Sequence, residues 1–262
     1  MILYPNAKIN IGLKVIERRP DGFHNLESFF FPVGLTDILE IVESERTTLD
    51  LYGIELKGNP KDNLCLKAYY LLAEEFKLPP VEIHLLKRIP AGAGLGGGSS
   101  DAAHTLIALN KLFGLNLSCE TLAGYAAKIG SDCPFFICSK QMNIKEGEGM
   151  FAEGKGEILT PFTVPQLKGL KIEVVTPPLF VSTAEAYGGI TPFKPQTSLK
   201  EMLLKPIEEW KDIVTNDFEN FVFKKYPLIS EYKQDLYNRG AVYASMSGSG
   251  SALFGIYRFL EF

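Results

Sequence analysis

The sequence lacks the features that mark secreted, membrane-spanning or zinc-binding proteins. Its four cysteines, Cys65, Cys119, Cys133 and Cys138, form no C-x-x-C pair and have no histidine at metal-ligand spacing, so we expect reduced thiols. There is no unbroken apolar run of about eighteen residues, the length that a membrane-spanning helix needs. The start, MILYPNAKIN, lacks the basic flank and apolar core of a signal peptide. These absences predict a cytoplasmic protein without a membrane segment.

Positive charge is also scarce. The chain has 27 Lys and Arg against 31 Asp and Glu, a net charge of −4, and no basic run is longer than Lys224-Lys225. Nucleic-acid-binding surfaces are usually rich in lysine and arginine, so no nucleic-acid partner is expected. With 262 residues, 46% hydrophobic and 22% charged, the chain has the composition of a soluble enzyme of one large or two modest domains. Composition leaves the oligomeric state open.

Glycine, in contrast, is concentrated in one short segment. Residues 90–100, PAGAGLGGGSS, hold five glycines and two serines between a predicted strand at 81–89 and a predicted helix at 101–113. Glycine has no Cβ, so successive amides can approach an anion, and a helix N-terminus favours negative charge. The segment therefore predicts a phosphate or pyrophosphate site. A tight glycine turn without a ligand is the alternative.

Two common phosphate loops do not fit this segment. A P-loop needs Lys and then Ser or Thr after its last glycine, whereas Gly98 is followed by two serines and the next lysine is Lys111. Gly92, Gly94 and Gly97 match G-x-G-x-x-G, but a second helical pattern follows where the dinucleotide-binding fold needs a strand. The loop is therefore assigned to neither class.

The order of predicted elements indicates an α+β protein. Strands are expected at 8–16, 27–33, 38–43, 48–52 and 81–89, and helices at 64–76, 101–113 and 119–129. Asp62 or Asn63 is a suitable N-cap for the first helix, and Ser118 for the third. A polar, glycine-rich stretch at 140–156 predicts an exposed connection or hairpin, with domains at 1–150 and 151–262. The second half predicts strands at 170–176, 242–246 and 251–257, and a helical region at 198–238 interrupted by Pro206 and Pro227.

Three further clusters carry polar groups. Lys8 and Asn10 project from one face of a predicted strand, and the alternative is an exposed edge-strand lysine. Phe23 and His24 lie in a turn, where a packed phenylalanine is the alternative. Asp132 lies in a turn after a helix, where it is an equally suitable cap for backbone amides.

Taken in order, these motifs resemble those of the GHMP kinases over nearly the whole chain. The motifs are PNAKINIGLKV, RPDGFHNLES, KDNLCLKA, PAGAGLGGGSSDAA, GSDCPFF, AEGKGEILTP and SMSGSGSALFG. The series is most similar to the branch of the family that phosphorylates a hydroxyl of a cytidylated small molecule in isoprenoid precursor synthesis. The resemblance implies an α+β, two-domain GHMP kinase architecture, with an N-terminal half like a domain found in ribosomal proteins and a ferredoxin-like α/β-plait C-terminal half. It places the active site in a cleft between the domains.

The resemblance also implies roles for particular residues. Lys8 and Asp132 match the family's catalytic pair, and Asn10 matches the residue that holds the acceptor hydroxyl. Phe23 and His24 match the cytidine site, with Thr183 and Tyr187 on its other side. ATP is implied as co-substrate, with Mg²⁺ expected beside its phosphates but no protein metal ligand assigned, although Ser100 is one option. The ATP-binding residues are Asn63, beside Asp62 and Leu64, together with Pro90, Ala91, Gly92, Ala93, Gly94, Leu95, Gly96, Gly97, Gly98, Ser99 and Ser100.

The sequence departs from the family pattern at several places. Phe23 stands where many relatives have Tyr, residues 143–150 look like an insertion that lengthens a surface hairpin, and the last sheet is expected to be incomplete after 251–257. The second glycine loop, 248–251, resembles a family motif near the substrates, with a plain hairpin turn as the alternative. A homoserine or mevalonate type of kinase and a non-catalytic nucleotide- or RNA-binding module remain as alternative functions.

Overall fold

The computed structural model describes residues 1–56, 58–139, 142 and 144–258. The strands are β1 (Ile2–Leu3), β2 (Asn6–Arg18), β3 (His24–Thr36), β4 (Ile38–Glu43), β5 (Thr48–Gly53), β6 (Val81–Lys87), β7 (Glu148–Glu153), β8 (Ile158–Thr163), β9 (Leu170–Val175), β10 (Tyr243–Met246) and β11 (Leu253–Arg258). The helices are α1 (Leu64–Phe76), α2 (Gly97–Leu112), α3 (Cys119–Ile129), α4 (Cys133–Cys138), α5 (Thr183–Gly188), α6 (Leu199–Leu203), α7 (Trp210–Ile213), α8 (Glu219–Lys225) and α9 (Pro227–Asn238). Within these described residues, no helix has the length and apolar character needed to span a bilayer.

The chain forms two compact units that are interleaved in sequence. The first unit contains residues 1–7, 33–91 and 96–141, and the second contains 8–32, 92–95 and 142–262. The glycine-rich loop therefore contributes residues 92–95 to the second unit, and residues 96–100 to the first. The predicted domains at 1–150 and 151–262 are continuous in sequence, whereas the two units are not, and that division stays a prediction.

The first unit is a sheet covered by helices. Its strand order is β1-β4-β6-β5, with β4 antiparallel and β5 parallel to β6. Along β6, buried Val81, Ile83 and Leu85 alternate with half-buried residues, as expected for a strand with one face against the core. The helix α2 is buried along most of its length, between α1 and α4. This places the start of α2 directly after the glycine-rich loop and inside the unit.

The second unit contains two sheets. One has the order β2-β3-β7-β8, and the other has the order β10-β11-β9. The strand β7 pairs with both β3 and β8, and its residues 149–152 are buried, because Met150, Phe151 and Ala152 form an apolar run. The prediction of an exposed connection or hairpin at 140–156 is confirmed as a hairpin, because β7 and β8 pair antiparallel, but the expected exposure is wrong for β7. Residues 148–150, part of the segment expected to lengthen a surface hairpin, belong to this strand. Lys140, Gln141 and Asn143, which belong to the same prediction, lie outside the described residues.

Helices pack on the second sheet of this unit. Phe218, the N-cap of α8, and Val222 within that helix share one buried cluster with Ile229 and Leu236 of α9 and Leu253 of β11. The helical region predicted at 198–238 is confirmed as separate helices, with Pro206 and Pro227 before new helical starts, where proline is well tolerated. The sheet β10-β11-β9 is described to Arg258, and residues 259–262 lie outside the described residues.

Candidate active site

The strand β2 carries a buried lysine and a buried asparagine side by side. Lys8 is 3% exposed and Asn10 is 2% exposed, so Lys8 is not the exposed edge-strand lysine of the alternative interpretation. Lys8 Nζ donates to Asn10 Oδ1 at 2.5 Å and to the Gly94 carbonyl at 3.2 Å, and it lies 4.8 Å from the centre of the Phe30 ring. Asn10 Nδ2 donates to Ser28 Oγ at 2.9 Å. The two predicted residues therefore form one hydrogen-bonded pair, oriented by neighbours on β2 and β3.

The backbone and the side chain of Lys8 both hold the glycine-rich loop. Lys8 N donates to the Leu95 carbonyl at 3.0 Å, beside the side-chain contact to Gly94. Gly92, Gly94 and Gly96 have φ between 67° and 79°, a left-handed conformation that glycine adopts at little cost. Three of the five glycines are therefore required by backbone conformation.

The helix α2 begins at Gly97 and not at Asp101 as predicted. The glycines and serines of the loop form its first turn, because Gly96 occupies the N-cap position and Ser100 N donates to the Gly96 carbonyl at 2.9 Å. No side chain among the described residues caps this helix start. The amides of Gly97, Gly98 and Ser99 precede the first intrahelical bond, so they are the natural donors to a phosphate.

A second glycine loop packs on the first within the second unit. It is the β10–β11 turn, residues 247–252, and Ser247 Oγ donates to the Gly94 carbonyl at 2.8 Å while Ala252 N donates to the Ala93 carbonyl at 3.1 Å. Asn216 Nδ2 fixes this turn by donating to the Met246 and Gly248 carbonyls, each at 2.8 Å. The turn therefore supports the phosphate loop, beyond being a plain hairpin turn.

Asp132 precedes α4 in the first unit. It occupies the N-cap position, but its side chain makes no capping hydrogen bond to that helix. The Ser131 hydroxyl lies 3.5 Å from Asp132 Oδ1. The next residue, Cys133, has a buried thiol whose pKa burial raises to about 11, against the lowering effect of a hydrogen bond with Ser99. The turn that carries Asp132 therefore packs on the first turn of α2.

The predicted adenine-side residue also adjoins α2. Asn63 is the N-cap of α1, and its Oδ1 accepts from Cys65 N at 2.9 Å, which confirms the capping prediction. A Cβ added at Gly98 would lie 3.7 Å from Leu64 Cδ1, so the start of α1 neighbours the first turn of α2. Ser100, named above as an option for Mg²⁺, is fully buried, and its hydroxyl lies 3.4 Å from His104 Nδ1 of the same helix. That orientation does not favour Ser100 as a metal ligand.

The residues predicted for the cytidine come together in the second unit. The His24 and Tyr187 rings are stacked, with centroids 4.9 Å apart and planes 19° apart. Tyr187 of α5 also meets Phe218 edge-on at 4.8 Å, so it has a packing role as well. The hydroxyls of Thr183 and Ser249 lie 3.0 Å apart, which links α5 to the second glycine loop.

Phe23, the residue before His24, is presented to solvent. Its side chain is 58% exposed, and Lys155 Nζ lies 4.7 Å from the ring centre. The turn is fixed by Asp21 Oδ1, which accepts from Phe23 N at 3.1 Å, and by a bond from Arg19 N to the Phe23 carbonyl at 2.8 Å. The Arg19 hydrogen bond lowers the pKa of Asp21. An exposed aromatic face in a rigid turn suits stacking by a planar base.

Sequence reasoning missed the residues that support these groups. Asn216, Ser247 and Ser28 are buried polar residues that bond to the loops or to Asn10, and the sequence analysis gave none of them a role of its own, although Ser28 ends RPDGFHNLES and Ser247 lies in SMSGSGSALFG. The signal available was a buried-strand asparagine or serine, which is common in proteins without a ligand. Their partners are distant in sequence, so only the fold reveals them.

The buried pair of Lys8 and Asn10, the glycine loop at a helix start and the exposed aromatic turn are features that a small-molecule kinase needs. The sequence patterns of the GHMP kinases N terminal domain and the GHMP kinases C terminal domain match residues 63–140 and 198–259. The chain belongs to the GHMP kinases.

Its relatives are more specific. It is 53% identical over 261 residues to the 4-diphosphocytidyl-2-C-methyl-D-erythritol kinase of Bacteroides thetaiotaomicron, covering 98% of this chain and 92% of the relative. The enzyme of the same name from Chlorobium phaeobacteroides is 38% identical, with 97% and 88% covered. A crystal structure of 4-(cytidine 5'-diphospho)-2C-methyl-D-erythritol kinase superposes with a TM-score of 0.80 at 34% identity, covering 98% of this chain and 90% of that one.

Other GHMP kinases share the fold at much lower identity. A mevalonate kinase structure is 15% identical with a TM-score of 0.60, and a homoserine kinase from Cytophaga hutchinsonii is 16% identical with a TM-score of 0.54. At these identities the likeness supports the fold prediction alone. The α+β GHMP kinase fold predicted from the sequence is confirmed.

Proposed function

We propose that this chain transfers the γ-phosphoryl group of ATP to the 2-hydroxyl of 4-diphosphocytidyl-2-C-methyl-D-erythritol. The observation that carries the proposal is the Lys8–Asn10 pair, which is buried on β2 and bonded directly to Gly94 of the phosphate loop. A phosphoryl transfer needs its donor and acceptor positioned and its developing charge stabilised, and it needs no covalent intermediate. An ammonium fixed against the phosphate loop meets the charge requirement.

The remaining roles follow from the same chemistry. The Asn10 amide binds the acceptor hydroxyl, and the Asp132 carboxylate accepts its proton as the new P–O bond forms. The amides of Gly97, Gly98 and Ser99 hold the nucleotide phosphates, and Mg²⁺ enters with the nucleotide as part of the substrate complex. Asn63 and Leu64 lie on the adenine side.

The cytidine is recognised in the second unit. The exposed Phe23 ring supplies a stacking surface, and the stacked pair of His24 and Tyr187 supplies a second aromatic surface. The ring nitrogens of His24 can bond to the polar edge of the base. The Thr183 hydroxyl, next to Ser249, is a further polar contact for the substrate. Phe23 lacks the hydroxyl of the tyrosine that many relatives have at this position, but its ring keeps the stacking surface.

A coupled ADP-release assay tests the proposal with three acceptors in parallel. Turnover with the cytidylated erythritol, and little with mevalonate or homoserine, is the expected result. Turnover with mevalonate or homoserine in its place would overturn the substrate assignment, and no turnover with nucleotide binding retained would favour the non-catalytic alternative. Asp132→Asn preserves the shape of the side chain and should lower kcat about 10²–10⁴-fold, the usual contribution of a proton acceptor. Unchanged turnover of this variant would remove Asp132 from the mechanism.

A further inference from the structure

A buried cluster of three charged residues lies under the first turn of α2. Lys87, the last residue of β6, is 2% exposed, Asp37 is fully buried and Asp101 is 3% exposed. Lys87 Nζ donates to Asp101 Oδ2 at 2.6 Å and also to Asp37 Oδ2. The three residues come from β6, from the β3–β4 junction and from α2, so the cluster joins three elements of the first unit.

The cluster contacts both ends of the predicted phosphate loop in this unit. Asp37 Oδ1 accepts from the amides of Arg88 and Ile89, at 2.5 and 2.8 Å, just before the loop begins. After the loop, a Cβ added at Gly97 would lie 3.4 Å from Lys87 Nζ. The ammonium therefore lies beside Gly97, the first of the residues whose amides we assign to the nucleotide phosphates.

The charges of the cluster do not balance. Two carboxylates and one ammonium leave one negative charge in the interior, and Asp101 Oδ1 has no hydrogen-bond partner among the described residues. A buried charge without full compensation is costly, and a carboxylic acid relieves that cost by taking up a proton. Burial raises the pKa of Asp101 to about 7, with the ammonium of Lys87 opposing the rise and Asp37 adding to it.

Other titratable groups lie on the elements packed around Asp101. From α1, the buried Cys65 thiol faces Asp101, and burial, together with that carboxylate, raises the pKa of the thiol, so it stays neutral at physiological pH. On α2 itself, His104 Nδ1 lies 2.9 Å from the Ser100 carbonyl oxygen. From α4, the buried Cys133 thiol is near Ser99. Within the cluster of Lys87, Asp37 and Asp101, protonation of Asp101 changes the charge beneath the loop.

We infer that Asp101 is a positioning residue that takes up one proton from solvent when the first turn of α2 binds the nucleotide phosphates. The proton goes to the Asp101 carboxylate, no bond to the nucleotide forms, and the cluster becomes neutral with Asp37 still ionised. Phosphate charge close to the cluster disfavours a second ionised carboxylate, so binding and protonation strengthen each other. The inference rests on the proposed function, because it assumes that this turn holds a nucleotide.

Calorimetry of nucleotide binding in buffers of different ionisation enthalpy measures the proton directly. The ligand is a non-hydrolysable ATP analogue with Mg²⁺, titrated at pH 7.5 into the wild type, Asp101→Asn and Glu120→Gln. If binding moves the Asp101 carboxyl by about one pKa unit, uptake in the wild type exceeds that of Asp101→Asn by about half a proton. Both proteins meet the same ligand, so its own ionisation cancels. Glu120→Gln removes an exposed carboxylate of α3 and should match the wild type.

A kinetic profile gives a second readout that a purely structural role would not move. On the same assumption, the KM for ATP of the wild type rises about five-fold from pH 7 to pH 9, because the protonated form binds better, and kcat follows a different course. The amide in Asp101→Asn cannot ionise, so its KM should stay flat over this range.

Equal proton uptake by the wild type and Asp101→Asn, or equal KM profiles, would overturn the inference. If Asp101→Asn does not fold, the wild type alone tests the inference. Proton uptake by the wild type no larger than the analogue's own ionisation explains would then overturn it. Absence of nucleotide binding in every protein would instead contradict the proposed ATP site, and so the two failures are distinguishable.

Discussion

The molecule has two buried lysines beside the same glycine-rich segment, and they are held in different ways. Lys8 of the second unit donates to the amide oxygen of Asn10 and to the Gly94 carbonyl. Lys87 of the first unit donates to the carboxylates of Asp37 and Asp101. Burial lowers the pKa of Lys87, but the two carboxylates outweigh it and the net shift is upward. The ammonium of Lys87 is therefore used to hold elements of the first unit together.

The comparison separates two uses of a buried cation. A lysine clamped between carboxylates is a structural part, since removing it leaves unpaired charges in the interior. A lysine positioned against a loop carbonyl and an asparagine holds its ammonium at the loop, where it can stabilise negative charge on a substrate. We therefore expect loss of Lys8 to reduce turnover with little change in stability, and loss of Lys87 to do the reverse.

The largest effect is expected for Lys8→Met. This change keeps the apolar stem and removes the ammonium, so kcat should fall about 10²–10⁴-fold while the free energy of unfolding changes by about 1 kcal/mol or less. Steady-state kinetics and urea unfolding measure the two quantities. Lys14→Met is the matched control on the same strand, since Lys14 bonds to Asp217 and has no role in the proposed site. A folded Lys8→Met protein with near wild-type kcat would refute the catalytic assignment.

The next effect is expected for Lys87→Met, and it should appear in stability. Two buried carboxylates lose their cation, and breaking a buried ion pair typically costs about 3–5 kcal/mol. Urea unfolding at pH 7 measures the loss, and Lys168→Met, which removes an exposed pair with Glu146, should change the unfolding free energy by about 0.5 kcal/mol or less. Adding Asp101→Asn to Lys87→Met should recover part of the loss. Equal stability of the two lysine variants would contradict the structural role of the cluster.

The contrast between these regions also shows what the sequence can predict. The helices α1 and α3 have the predicted bounds, because their caps, Asn63 and Ser118, are local signals written next to the helical pattern. Lys8, Asn10, Phe23 and His24 were predicted as site residues because each lies in a short motif that resembles a known family. Both kinds of inference use neighbours in the chain.

What the sequence could not predict depends on distant neighbours. Lys87 and Asp37 are 50 residues apart and Ser247 and Asn10 are 237 residues apart, so neither contact leaves a local pattern. The buried β7 was mistaken for part of an exposed connection because glycine and charged residues surround its short apolar run. The start of α2 was misplaced since glycine disfavours helix interiors, yet it suits a helix start where a phosphate must approach.

A third test compares two glycines of the loop. A Cβ at Gly94 would lie 2.0 Å from the Ser247 carbonyl oxygen, and its φ of +79° disfavours other residues. Gly94→Ala should therefore destabilise the protein by about 2 kcal/mol or more and reduce turnover, because the two glycine loops must move apart. At Gly98 a Cβ meets nothing closer than 3.7 Å, so Gly98→Ala should leave stability unchanged or raise it by about 0.5–1 kcal/mol. Thermal unfolding decides between them, and equal losses would mean that packing at Gly94 does not support the loop.

The smallest effect is expected at the exposed aromatic turn. Phe23→Ala removes the proposed stacking surface, and a stacked base contributes about 1–3 kcal/mol, so the KM for the cytidylated substrate should rise about 5- to 150-fold. The KM for ATP should not change, since Phe23 belongs to the acceptor site in this proposal. Phe23→Tyr restores the hydroxyl that many relatives carry and should stay within about three-fold of the wild type, because stacking depends on the ring. Lys155→Ala uncovers one face of the ring without removing it, so it serves as the control for the lost cation contact. A rise in the KM for ATP, or equal effects of Phe23→Ala and Lys155→Ala, would show that the ring acts through the turn and not through the base.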